Sequence, residues 1–62
     1  MNLIKIKNKM LQLEITQQDL ADDVGVHFST VYRWLNGDRE PFEYNKIKIA
    51  NALELSLEEL ED

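Results

Sequence analysis

An all-α fold, a compact bundle of five short helices in one domain over residues 1–62, is what the sequence predicts. Three observations lead there. A single proline and two glycines interrupt the 62 residues, and there is no cysteine. With no disulfide or thiolate metal site available, packing of helices must hold the chain together. Apolar residues recur at spacings of three and four, the helical period. Helix-start signals also recur: Thr16 has Asp19 three residues on, and Ser56 has Glu59, the spacing of a capping box. A domain of this length buries only about 60% of its unfolded surface, so each helix can contribute little more than one face.

The first helix is expected over residues 2–13. Leu3, Ile6, Met10 and Leu13 form its apolar stripe, and Lys5 and Lys9 lie off that stripe. The second is expected over 17–24, with Thr16 as N-cap and Ile15 and Leu20 as a hydrophobic staple. Leu20, Ala21 and Val24 face inward, and the small Ala21 lets a neighbouring helix cross closely. Asp22 and Asp23 point outward. Gly25 follows, free of the Cβ clash that disfavours left-handed backbone. The third helix is expected over 28–36. Two short helices around a glycine turn make the helix-turn-helix pattern, here residues 16–37.

The third helix carries the most information. Advancing about 100° per residue, Val31, Trp34 and Leu35 share one side and are assigned to the core. Ser29, Arg33 and Asn36 lie opposite, with Tyr32 beside them and Phe28 on the shoulder. Hydrogen-bonding groups of this kind suit base edges: arginine pairs with guanine O6 and N7 through two parallel bonds, and serine serves several bases. Aromatic rings on the same exposed face argue against an ordinary solvated surface. Asn36 and Gly37 end the helix, and residues 38–41 form a loop in which Arg39 can reach a phosphate. A fourth helix is expected over 44–53 with Ile47, Ala50 and Leu53 inward. A fifth is expected over 57–61, stapled by Leu55 and Leu60.

The net charge of −5 runs against the basic footprint usual for nucleic-acid binding. The charge is uneven, however. Residues 1–13 hold Lys5, Lys7 and Lys9 and no acid, whereas Glu58, Glu59, Glu61 and Asp62 crowd the tail. Catalysis finds no support, and no metal, cofactor or small-molecule substrate is expected. There is one histidine, His27, read as an N-cap or turn residue. The neighbouring acids Asp22–Asp23 and Glu58–Glu59 diverge around a helix. No apolar run approaches the roughly 20 residues of a membrane span, and no signal-peptide pattern opens the chain. A cytoplasmic protein without membrane contact is expected.

The segments TQQDLADDVG, VYRWLNG and IANALELSLEEL together resemble the Cro and phage-repressor type of helix-turn-helix domain, often called XRE-like. The resemblance runs from the first helix to Leu60. It implies a lambda-repressor-like DNA-binding fold and a small transcriptional regulator, of repressor type, whose third helix enters the major groove of double-stranded DNA. The family's base-contacting positions fall on Gln17, Phe28, Ser29, Tyr32 and Arg33. Its backbone contacts fall near Gln17, Asn36 and the loop holding Arg39. With the adjacent Gln18 and Thr30, these residues make the candidate DNA-binding set. The alternative is a protein-interaction module of the same fold, for example an antitoxin-like or regulator-binding domain.

Four departures from the family pattern stand out. Glu14 and Glu54 occupy positions where the family has glycine. Glutamate in left-handed backbone costs about 1 kcal/mol, so turns of a different shape are expected. His27 stands where serine or threonine usually caps the third helix. Met10 and Leu35 replace an arginine and a glutamate that pair in many members; both have become apolar, and a contact between them is expected. One recognition helix reaches few bases, each worth about 1–3 kcal/mol, against at least roughly a million competing genomic sites. A homodimer on a near-palindromic operator is therefore expected, with a weak contact of its own around the fifth helix.

Overall fold

The structure, a computed structural model, describes residues 1–62. It contains five helices and no strand: α1 (Leu3–Leu13), α2 (Gln17–Val24), α3 (Phe28–Leu35), α4 (Glu43–Ala52) and α5 (Leu57–Glu61). No helix is long and apolar enough to cross a membrane. α2 packs against α3 and α4, and α4 packs against α5. One core runs through the bundle: Ile6, Met10, Leu20, Ala21, Val24, Val31, Trp34, Leu35, Ile49, Ala50, Leu53 and Leu60 are buried.

Caps set the helix starts. The Thr16 hydroxyl accepts the Asp19 N–H at 3.0 Å, and the Asp19 carboxylate accepts the Thr16 N–H at 3.0 Å. Ser56 and Glu59 repeat this reciprocal pair at 3.1 and 2.9 Å. These bonds hold both acid pKa values below the usual carboxylate range: for Asp19 through the Thr16 backbone first, for Glu59 through the Ser56 backbone first. α1 starts one residue later than expected because Asn2 is its cap, accepting the Lys5 N–H at 3.0 Å. α4 starts one residue earlier. Its cap position is Phe42, which makes no side-chain cap bond, so the sequence carries no start signal there.

The helix ends correct one expectation. Glu14 and Glu54 are both left-handed, with φ 57°, so the turns keep the shape that a glycine would give. Four helices end alike, α3 closing from Asp38 N–H to Arg33 O at 3.0 Å across left-handed Gly37. Ile15 N–H donates to Met10 O at 2.8 Å, Val26 N–H to Ala21 O at 3.0 Å, and Leu55 N–H to Ala50 O at 2.9 Å. Each bond spans five residues across a left-handed residue (Glu14, Gly25, Gly37 or Glu54), which is the Schellman closure. Ile15, Val26 and Leu55 then pack against the core. Satisfied carbonyls and buried apolar area offset the roughly 1 kcal/mol strain of a left-handed glutamate. The same apolar residues stand as staples for the helices that follow.

The inner face of α4 differs from the one expected. Ile47 is 44% exposed, whereas Ile49 is 1% exposed and joins Asn45, Ala50 and Leu53 inside. Two positions along a helix differ by about 200°, so only one of Ile47 and Ile49 can face the core. Both are isoleucines in a run of mixed polarity, and periodicity alone does not choose between them.

Candidate nucleic-acid interface

α3 is seated by its buried side. Val31, Trp34 and Leu35 are at most 4% exposed, and the remaining side chains are driven outward. The turn before it is set by Gly25, left-handed at φ 84°, whose N–H donates to Ala21 O at 2.8 Å. A Cβ there would meet nothing, so the glycine answers to backbone angle and not to crowding. His27 caps the helix: its Nδ1 accepts the Ser29 N–H at 3.1 Å.

The outward strip holds Phe28 at 40% exposure, Tyr32 at 51%, exposed Arg33 and Asn36, and half-buried Ser29. Arg33 makes no ion pair. Its carbonyl accepts the Asp38 N–H at 3.0 Å and the Arg39 N–H at 3.4 Å, which folds the following loop back against the end of α3. Arg39 and Thr30 line one groove of about 190 Å³, with Trp34, Phe42, Tyr44 and Asn45. Thr30 therefore lies at the edge of the strip, beside the loop.

Gln17 is half-buried at the start of α2. It shares a cavity of about 290 Å³ with Lys7, Met10, Leu11, Ile15 and Leu35. Met10 and Leu35 thus border the same surface groove. Gln18 is exposed on α2 and donates to Asp22 at 2.9 Å. The three N-terminal lysines separate. Lys7 joins Gln17, whereas the charges of Lys5 and Lys9 act on Glu59 of α5, adding to the Ser56 hydrogen bonds that lower its pKa. The sequence held no signal for that division, because it depends on which helices flank α1.

A half-exposed helix carried on a partner helix across a glycine turn, inside a five-helix bundle, defines a helix-turn-helix domain. The helix-turn-helix family model matches residues 6–60, and the chain belongs to that family. The chain is also similar to the cryptic phage CTXphi transcriptional repressor RstR of Vibrio cholerae serotype O1, at 32% identity over 56 residues. That match covers 90% of this chain and 50% of the relative, so the chain spans about half the relative's length. No solved structure matches it significantly.

Proposed function

We propose that this domain binds double-stranded DNA sequence-specifically, as a transcriptional regulator of repressor type, with α3 in the major groove. One observation carries the reading. The side of α3 away from the core presents a continuous strip of Phe28, Ser29, Tyr32, Arg33 and Asn36, and Arg33 has no internal charge partner. A helix with its side chains is about 10–12 Å across, a width that a major groove about 12 Å wide admits. Arg33 suits guanine O6 and N7, and Phe28 suits a thymine methyl. Gln17, Lys7 and Arg39, with Asn36 at the end of the strip, serve as phosphate contacts. The repressor named among its relatives supports the same reading.

The working unit in this reading is a two-fold dimer on a near-palindromic operator. The molecule spans 24 Å along its longest axes, and side chains add several ångströms. Two copies one helical turn apart, about 34–36 Å, therefore meet only at their edges. DNA supplies most of the assembly by holding them side by side.

Selection from a random duplex library, followed by titration at several salt concentrations, tests the reading. A preferred sequence, with weaker and more salt-sensitive binding to random DNA, is the expected result. Inserting five base pairs between half-sites turns one copy to the opposite side of the duplex. Equal affinity and cooperativity on both duplexes would remove the dimer. A second reading, a protein-binding module, is favoured by Phe42 and Tyr44, stacked at 5.9 Å and 72% and 61% exposed. Failure to select any DNA sequence would turn attention to it.

A further inference from the structure

The cap of α3 does more than start the helix. His27 Nδ1 accepts the Ser29 N–H at 3.1 Å and lies 2.8 Å from Ser29 Oγ. A nitrogen that accepts a backbone N–H carries no proton of its own, so the imidazole is the Nε2–H tautomer. In the 2.8 Å contact, therefore, the proton belongs to the serine, and the hydroxyl donates to Nδ1. A serine hydroxyl has one proton and two lone pairs. With the proton engaged, only lone pairs remain for a ligand.

We infer that His27 is a positioning residue for base reading: it holds the Ser29 hydroxyl as a pure acceptor, matched to the exocyclic amine of adenine (N6) or cytosine (N4). Guanine N7 and O6, adenine N7 and thymine O4 are acceptors themselves, and they offer this oriented hydroxyl nothing. The inference rests on α3 facing base edges. It names the hydrogen-bond polarity at one position of that interface. A serine or threonine cap would not impose it, because a hydroxyl donates as readily as it accepts.

The test uses the operator selected by the wild-type chain. The base pair whose discrimination Ser29→Ala flattens is located first. Two altered duplexes are then made at that pair. One lacks the exocyclic amine (purine for adenine, or 2-pyrimidinone for cytosine), and the other lacks the purine N7 (7-deaza base). Wild type should lose about tenfold in affinity, the scale of one lost base contact, on the amine-deleted duplex alone. Ser29→Ala should bind both altered duplexes as it binds the parent. His27→Thr keeps a good helix cap, so it should melt near wild type and respond less sharply to amine deletion, because the freed Ser29 hydroxyl is no longer held as an acceptor. His27→Asn, whose amide oxygen both caps and accepts, should restore that response. The inference is overturned if amine deletion costs wild type and Ser29→Ala equally, if N7 deletion is the costly change, or if Ser29→Ala flattens no pair. Failure to select any operator would instead overturn the DNA-binding reading, and this inference with it.

Discussion

Where the loop after α3 meets α4 and α5, Lys46 Nζ lies 2.8 Å from both Glu40 and Glu61, and the amino group of Met1 lies 3.2 and 3.7 Å from the same two carboxylates. On the outer strip of α3, Arg33 has no carboxylate beside it, and two aromatic rings stand in water. The seam neutralises its charges internally; the strip leaves a cation for something else. The difference shows why a net charge of −5 says little about what a ligand meets. Glu40 and Glu61 face cations within the molecule, and Asp19 and Glu59 are tied into capping boxes. Hydrogen bonding by Lys46 keeps the Glu40 carboxyl below its usual range. Hydrogen bonds to Glu40 first and then Glu61 raise the Lys46 pKa well above its usual value.

The harshest way to break this contrast is to place a charge where neither region has one. Met10 is 6% exposed and Leu35 3%. Met10→Arg should destabilise the fold by about 3–5 kcal/mol through an unpaired buried charge, seen in denaturant melts. Adding Leu35→Glu should recover part of that loss. Strict additivity in the double-mutant cycle would mean that the two side chains do not interact.

Next in size is Arg33→Ala. It should cost about 1–3 kcal/mol of specific binding, relax preference at one base pair, and leave the melting temperature near wild type. Equal weakening on specific and random DNA would show that Arg33 meets phosphate and not a base.

Lys46→Met tests the other side of the comparison. The two carboxylates are 57% and 45% exposed, and exposed pairs are worth about 1 kcal/mol or less. A small loss of stability with unchanged base preference is expected. A changed preference would mean that the seam and the strip are coupled.

The depressed carboxylates add a pH dependence with a defined sign. Asp19, Glu40 and Glu59 contribute stability that is fully present above the unfolded carboxylate range, about pH 4. It is lost as pH falls through their lower folded values. Lys46, shifted upward, contributes below the ordinary lysine range, near pH 10.4, and its share is lost only in stronger alkali. Melting temperature should therefore hold across neutral pH and fall below about pH 4. In Glu40→Gln the acid limb should be shallower.

The smallest effect concerns the lysines. Lys7→Ala should reduce the salt slope of DNA binding by about one. Lys5→Ala and Lys9→Ala should change it less, since those charges already act on Glu59 of α5. Equal slopes for all three variants would erase the division of α1 into a DNA side and an α5 side.

Much of this molecule was determined by local sequence. The capping boxes at Thr16 and Ser56, the glycine at position 25, and the buried side of α3 can each be read within one or two helical turns. Their physics is that local: hydrogen bonds across three or four residues, and a period of 3.6. The chemistry of the outer strip follows from the same wheel, because placing Val31, Trp34 and Leu35 inside leaves Ser29, Tyr32, Arg33 and Asn36 nowhere else to go. Tertiary structure decided what depends on a neighbour distant in the chain. It chose Ile49 over Ile47, since only packed elements tell two isoleucines apart. It kept Glu14 and Glu54 left-handed, since Ile15 and Leu55 gain a core to pack against. It also placed Lys7 on one groove with Gln17, and Lys5 and Lys9 near enough for their charges to act on Glu59. A helical period gives the angle of each side chain around its own axis, but only the assembled bundle determines what stands at that angle.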